Sequence, residues 1–138
     1  MEINSITGAI VDAALKVHTA LGPGLLESVY EKCLKHELGK RGLRVETQVW
    51  VPVVYDGLEI EGGYKIDLLV EDSVIVELKV VEQILPIHRA QLLSYLKLTH
   101  KEVGLLINFN VVHLRDGIRR LVNHYQSSAS PASSAVVV

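Results

Sequence analysis

Residues 63–81 have the sequence G-Y-K-I-D-L-L-V-E-D-S-V-I-V-E-L-K-V-V. The β-branched and apolar runs on either side of the polar E-D-S cluster predict two antiparallel strands joined by a tight turn. A three-residue loop would pair Val70 with Val74. Counting back three residues on each strand then places Asp67 directly opposite Glu77. Side chains in such positions lie about 4.5–5.5 Å apart, so two like charges there would destabilise the sheet unless something else held them.

A divalent metal ion would account for this pair of carboxylates. Mg²⁺ prefers oxygen ligands and keeps several waters, so Asp67 and Glu77 would suffice to hold it. Lys79 lies two residues after Glu77 and therefore on the same face of the strand, where it could act on a metal-bound water or on a phosphate. The alternative is that Glu77 and Lys79 are surface charges on a half-exposed strand. The apolar residues on the opposite face of the hairpin weigh against that alternative.

The composition is that of an ordinary soluble protein. The chain has 138 residues, of which 49% are hydrophobic and 22% charged, and its formal net charge is −2. This near-neutral balance excludes a polycationic protein, so any nucleic-acid surface would have to be a local patch. Five cations in the last third of the chain are candidates for such a patch: Lys97, Lys101, Arg115, Arg119 and Arg120.

The number of cysteines, the first residues and the length of the apolar runs bear on compartment and membrane association. A single cysteine, Cys33, excludes an internal disulfide and fits a reducing compartment. The first residues, M-E-I-N-S-I, lack the basic and apolar segments of a signal peptide. No apolar run approaches the ~20 residues that span a bilayer. We therefore expect a cytoplasmic protein that does not associate with membranes.

Hydrophobic periodicity and turn residues predict an α/β fold in which helices flank a central mixed sheet. Residues 1–125 are expected to form one domain, and the Ser/Ala-rich residues 126–138 a disordered tail. Pro52 predicts an edge strand or a bulge. The expected elements are helices over 4–20 and 25–41, a hairpin with strands over 45–55 and 58–61 that ends at Gly62-Gly63, the hairpin within 63–81, a helix over 87–98, and strands over 103–109 and 118–122.

Several segments together carry a family resemblance. G-L-L-E-S-V-Y, at residues 24–30, resembles the signature of the GxxExxY protein family, and the segments I-D-L-L-V, V-I-V-E-L-K and Q-L-L-S-Y-L match the same family. The resemblance spans about residues 5–123. This family is similar to the PD-(D/E)XK nuclease-like superfamily. The resemblance implies a restriction-endonuclease-like core, with two N-terminal helices, antiparallel hairpins, a crossover helix and a further strand.

The resemblance also implies roles for individual residues. It makes Asp67 the motif aspartate, with Glu77 and Lys79 as the E-x-K pair. Glu27 matches an acidic residue on the first core helix, which would bind the metal directly or through a water. Gln91 matches a glutamine on the helix after the hairpin. From the residues alone, Glu27 could equally be a carboxylate that stabilises a helix N-terminus, and Gln91 a residue at the margin of its helix.

The function implied is hydrolysis of phosphodiester bonds in DNA or RNA, with Mg²⁺ or Mn²⁺ as cofactor. The chain departs from the superfamily motif at Ile66, which stands where a proline often precedes the aspartate. The alternative is a non-catalytic module that keeps the nuclease fold and binds nucleic acid or protein, which the near-neutral charge favours. A homo-oligomer remains open. The six histidines lack the spacing of a zinc site.

Overall fold

The computed structural model describes residues 1–124 and, of residues 125–138, only the backbone of Val136–Val137. The disordered tail predicted for 126–138 lies outside the described residues, apart from these two. The elements follow in the order α1 (Ile3–Leu21), α2 (Glu27–Lys40), β1 (Val45–Tyr55), β2 (Leu58–Val70), β3 (Val74–Lys79), α3 (Pro86–Thr99), β4 (Val103–Asn108), a 3₁₀ turn (Leu114–Gly117), β5 (Ile118–Asn123) and β6 (Val136–Val137).

The strands form one mixed sheet in the order β1-β2-β3-β4-β5-β6. Strands β3 and β4 are parallel, and every other pair of neighbours is antiparallel. A parallel pair needs a long crossover connection, which α3 provides. The predicted α/β fold, a mixed sheet flanked by helices, is therefore confirmed.

Two apolar cores lie on opposite faces of this sheet. Helices α1 and α2 cover one face and α3 covers the other. In β3, Val74 and Val76 belong to the α1–α2 core, whereas Ile75 belongs to the α3 core. Because side chains alternate along a strand, Glu77 and Lys79 lie on the same face as Ile75. The two charged residues therefore sit in a strand that is apolar on both sides.

One boundary predicted from the sequence is wrong. Gly62 and Gly63 were expected to separate two strands, but β2 continues through them as one strand of 13 residues. The register between β1 and β2 shifts between Val51 and Val53, and Gly62 has a φ of 67°. Glycine adopts positive φ at little cost, so it accommodates a bulge without ending the strand. The bulge lies beside Pro52 in the edge strand, as that proline predicts.

A second irregularity lies at Gln48, which has a φ of 53° inside β1. Val45 packs against the α1–α2 core and Val49 against the α3 core, although residues four apart in a regular strand share a face. At the corresponding level of β2, Leu68 lies in the first core and Ile66 in the second. In both strands, the side chains that point to one face of the sheet before the level of Gln48 are therefore followed by side chains that point to the other face.

The backbone around Gly117 leaves no room for a side chain. A methyl group at this position would collide with the backbone carbonyl of Asn108, which cannot move aside as a flexible side chain can. We expect Gly117→Ala to lower the free energy of unfolding by roughly 1–3 kcal/mol or more. Urea denaturation followed by circular dichroism measures the loss.

The matched control is Gly8→Ala, in the middle of α1, where an added methyl group meets no atom within 4 Å. This change should stabilise the protein by about 0.5–1 kcal/mol, because alanine favours a helix over glycine. Equal effects of the two substitutions would contradict the steric explanation.

Candidate functional site

The β2–β3 hairpin has the register that its turn predicts. Val70 lies opposite Val74, and the regular pairing continues for two further positions along each strand. The pairing then ends immediately before Asp67 and Glu77. The two strands thus fork at the point where the sequence places two carboxylates.

Side chains replace the missing backbone pairing at this fork. The backbone N–H of Asp67 donates a hydrogen bond of 2.7 Å to Oε2 of Glu77. The backbone N–H of Leu78 donates one of 2.8 Å to Oδ2 of Asp67. Each carboxylate therefore binds the main chain of the opposite strand. This exchange holds the two acids side by side, as the register prediction requires.

Burial and mutual repulsion shift the ionisation of both acids. Glu77 is only 5% exposed. Burial, followed by the charge of Asp67, raises the pKa of Glu77 to about 8. Burial also raises the pKa of Asp67, although its hydrogen bond from Leu78 and the charge of Lys79 act in the opposite direction. A buried and a half-buried carboxylate that share a site resist being ionised together, and a nearby cation would relieve that repulsion.

The remaining oxygen atoms of the pair fit a divalent cation. Oδ1 of Asp67 lies 3.5 Å from Nε2 of Gln48, and within residues 1–124 Oε1 of Glu77 has no hydrogen-bond partner. Half-buried Lys79 ends β3 and makes no ion pair with the residues described. Carboxylate oxygens are the ligands that Mg²⁺ and Mn²⁺ prefer, with waters completing the coordination.

Glu27 lies near this pair but not within it. It is the first residue of α2 and its side chain is exposed. Its charge contributes to the raised pKa of Glu77, so the two carboxylates interact electrostatically. In the described part of the chain, no three acidic, histidine or cysteine side chains are placed to hold a metal ion. Ligation by Glu27, direct or through a water, stays a prediction.

Tyr30 explains why a helix begins at Glu27. Its hydroxyl donates a hydrogen bond of 2.5 Å to the carbonyl oxygen of Gly22 and accepts one of 3.2 Å from the N–H of Leu25. Its ring stacks on Phe109, just after β4, with 4.3 Å between ring centroids. The tyrosine thereby ties the Gly-Pro-Gly linker to the sheet, and this contact fixes the start of α2.

Two polar residues at the site were not predicted. Nε2 of Gln48 donates a hydrogen bond of 2.6 Å to Oε1 of Glu31, while also approaching Asp67. Glu31 follows Glu27 by one helical turn on the same face of α2. No sequence signal predicts this contact, because glutamine rarely adopts the positive φ that Gln48 has here.

Helix α3 borders the site with a buried tyrosine. Burial, followed by the charge of Glu77, raises the pKa of Tyr95 to about 12. Gln91 lies one turn earlier on the same helix face and is half-buried. Its side chain makes no hydrogen bond with the residues that the structure describes, so its predicted role stays a prediction. His88 instead accepts a hydrogen bond from Leu85 at the start of α3.

The five cations suggested as a basic patch do not form one surface. Arg119 and Arg120 are adjacent in β5, so they point to opposite faces of the sheet. Arg120 donates a hydrogen bond of 2.9 Å to Asn4 of α1. Lys101 forms an ion pair of 3.2 Å with Asp72. The candidate patch suggested by their proximity in sequence is therefore dispersed.

Comparison with known families identifies the superfamily of the chain. The sequence model described as the PD-(D/E)XK nuclease superfamily matches residues 4–121. The chain belongs to the PD-(D/E)XK nuclease superfamily. The match includes Asp67, Glu77 and Lys79, which have the D-x9-E-x-K spacing. No curated protein and no solved structure matches the chain. Among the described residues of this superfamily member, no helix is long and apolar enough to cross a membrane.

The raised pKa of Glu77 predicts how stability depends on pH. The group binds its proton more tightly in the folded state than in the unfolded state, whose glutamate has a pKa near 4.5. With EDTA present, the free energy of unfolding should therefore fall as pH rises from about 4.5 to about 8 and then level off. The loss approaches about 1.4 kcal/mol for each unit of pKa difference. Urea denaturation between pH 4 and 9 measures it, in steps of about one unit.

Glu77→Gln should make this profile flatter, because the amide does not titrate but its oxygen can still accept the N–H of Asp67. Glu82→Gln, at an exposed position soon after β3, is the control and should leave the profile unchanged. A profile that is equally steep in Glu77→Gln would show that another group causes the pH dependence.

Tyr30→Phe should loosen the start of α2 while keeping the buried ring. It removes the hydroxyl that bonds Gly22 and Leu25. We expect a loss of about 1–3 kcal/mol in the free energy of unfolding, because partly buried backbone groups lose a partner. Hydrogen exchange should become faster at the first amides of α2 and remain unchanged in α3. Uniformly faster exchange would mean that the tyrosine supports the whole fold instead.

Proposed function

We propose that this protein is a Mg²⁺- or Mn²⁺-dependent nuclease that hydrolyses phosphodiester bonds of DNA or RNA at Asp67, Glu77 and Lys79. One observation carries the proposal: two carboxylates with raised pKa values are held together at the β2–β3 fork, beside a lysine without an ion-pair partner in the described chain. Members of this superfamily generally use divalent metals. We also infer that the chain is a cytoplasmic member of the GxxExxY group.

The two carboxylates would hold the metal ion through the oxygens that their backbone hydrogen bonds leave available. Glu77, whose pKa is about 8, must lose its proton when a cation binds. A bound ion lowers the pKa of a coordinated water and offsets charge in the transition state. Lys79 orients the attacking water or neutralises the phosphate, since its ammonium group lies near both acids but forms no ion pair within the described chain.

Neighbouring residues would support this pair without reacting. Gln48 orients Asp67, and Glu31 in turn orients Gln48 through their 2.6 Å hydrogen bond. Glu27 would bind the ion directly or through a water, and would add a third negative charge beside it. Gln91 positions Lys79 or the nucleic-acid backbone.

A second candidate function is a non-catalytic binding module with the same fold. The net charge of −2 and the dispersed cations favour it, because proteins that bind duplexes strongly usually present a basic face. The two candidates differ in one respect: only a nuclease needs Lys79 for a chemical step.

Metal binding is tested by thermal unfolding. Mg²⁺ or Mn²⁺ at millimolar concentration should raise Tm, because a ligand at 100 times its Kd stabilises the folded state by about 2.7 kcal/mol. Glu77→Gln should lose this increment. Lys79→Ala should keep it, since the lysine acts on the water or phosphate and not on the ion. Glu82→Gln is the control and should behave as wild type.

Cleavage is tested with single-stranded, duplex and branched DNA and RNA in Mn²⁺ at low salt. Lys79→Ala should reduce the rate by about 10²-fold or more, because a charge that stabilises the transition state is lost. Activity that survives in Glu77→Gln would indicate a contaminating nuclease. Stabilisation by metal without cleavage of any substrate would favour the binding module.

A further inference from the structure

Each exposed tyrosine or tryptophan in residues 1–124 lies on the two-stranded ribbon of β1 and β2. The exposed rings are Trp50 at 56%, Tyr55 at 74% and Tyr64 at 58%. The remaining tyrosine and phenylalanine rings of this range are buried: Tyr30, Tyr95 and Phe109. An exposed ring offers a large flat apolar face on which another ring can stack. The position of each ring relative to the carboxylate pair therefore decides which of them a substrate meets.

Tyr64 lies on the face of the sheet that carries Glu77. It pairs across the ribbon with Val51, which is buried in the α3 core, and directly opposed residues share a face. Its ring contacts that of Tyr95 on α3, with 6.0 Å between ring centroids and 41° between ring planes. Ile75 also belongs to the α3 core, so Glu77 lies on this face too, two residues along β3.

Tyr95 connects the exposed ring to the two acids. Burial, followed by three nearby ionisable groups, raises the pKa of Tyr95 to about 12. In order of their effect, these groups are Glu77, Tyr64 and Asp67. Along β2, Tyr64 precedes Asp67 by three residues, a Cα separation of about 10 Å at ~3.3 Å per residue. An exposed aromatic ring thus lies beside the proposed metal site.

The other two exposed rings lie elsewhere on the ribbon. Trp50 lies opposite Lys65 on the other face, and the ammonium group of Lys65 lies 4.4 Å from the centre of the indole ring. Tyr55 is the last residue of β1, at the tip of the hairpin. Among the exposed rings of residues 1–124, Tyr64 alone is on the face of the carboxylate pair and next to it.

A ring in this position selects unpaired bases. In a duplex each base is paired and stacked between its neighbours, whereas the bases of a single strand can turn out and stack on aromatic side chains. Such stacking supplies affinity that does not depend on attraction of the phosphate backbone. That attraction is weak overall for a chain with a net charge of −2.

We propose that Tyr64 stacks on an unpaired base next to the scissile phosphate, so that the substrate is single-stranded nucleic acid or a single-stranded region of a longer molecule. This inference rests on the proposed nuclease function, because the phosphate held at Asp67 and Glu77 brings the base to the ring. Tyr95 supports the ring from the side of α3, which lowers the entropy cost of stacking. Every base has a flat face, so we expect little sequence preference.

Fluorescence anisotropy tests this contact with a labelled single-stranded oligonucleotide and with the same oligonucleotide annealed to its complement. Every protein carries Glu77→Gln, which prevents cleavage and removes one of the charges that a metal ion would offset. This parent protein should bind the single strand more tightly than the duplex. Tyr64→Leu should weaken single-strand binding about 5-fold or more and leave duplex binding unchanged. Tyr64→Phe should keep the affinity of the parent, because it keeps the ring.

Trp50→Leu and Tyr55→Leu are the matched controls, because each removes an exposed ring from the same ribbon. Both should leave single-strand binding unchanged. With Glu77 intact, Mn²⁺ should raise the Tm of Tyr64→Leu as much as that of wild type, which shows that the carboxylate pair keeps its geometry.

Oligonucleotides that lack a single base provide an independent check. When the missing base is moved along the strand, one position should cost the parent protein about the same 5-fold or more in affinity. The same position should cost Tyr64→Leu nothing, because ring and base form one contact that either change removes.

Three outcomes would overturn the base contact. These are single-strand affinity that is indifferent to Tyr64→Leu, equal losses in Tyr64→Leu and both controls, and a loss in Tyr64→Phe as large as in Tyr64→Leu. Cleavage of duplex and single strand at equal rates, unchanged in Tyr64→Leu, would also overturn it while confirming the nuclease. Conversely, single-strand binding through Tyr64 without cleavage of any substrate by wild type would establish the base contact and exclude the nuclease.

Discussion

Two hydrogen bonds across the fork between β2 and β3 determine the geometry of the whole site. Glu77 accepts the N–H of Asp67, and Asp67 accepts the N–H of Leu78. Where the regular pairing ends, these partly buried amides would otherwise lack protein partners, and an unpaired buried amide costs about 1–3 kcal/mol. The carboxylates therefore serve the fold as well as the proposed chemistry. Substitution of Asp67 by asparagine or of Glu77 by glutamine removes the charge but keeps an oxygen that accepts the hydrogen bond. Such a substitution therefore separates the two roles more cleanly than truncation to alanine does.

The same arrangement opposes stability near neutral pH. Burial raises the pKa of both acids, and each negative charge disfavours the other. The positive φ of Gln48, opposite Asp67, adds backbone strain of the order of 1–3 kcal/mol. Repulsion and strain thus coincide at one point of the sheet, while the surrounding core is apolar and regular. Such a concentration of unfavourable terms is typical of functional sites, because a bound ligand can offset them.

The parts of the site that the sequence predicts depend on local rules. The three-residue turn and the alternation of side chains place Asp67 opposite Glu77, since register follows from turn length. The prediction that a strand ends at Gly62 is wrong, because glycine occurs both in turns and in bulges and its presence alone does not distinguish them. The contact between Gln48 and Glu31 depends on how α2 packs over β1. No periodicity in either segment encodes that packing.

The spacing of Gly24, Glu27 and Tyr30 has a physical explanation, because these residues connect the linker between α1 and α2 to the site. Gly24 has a φ of 92°, which admits the tight linker, and Tyr30 anchors that linker through Gly22. Glu27, three residues before Tyr30, is on the first turn of the helix, where the dipole favours a carboxylate. The anchor fixes the helix start, so the charge of Glu27 reaches Glu77 although its side chain remains in solvent. The spacing of Gly24, Glu27 and Tyr30 thus holds a third carboxylate near the pair, where its charge adds to the repulsion that raises the pKa of Glu77.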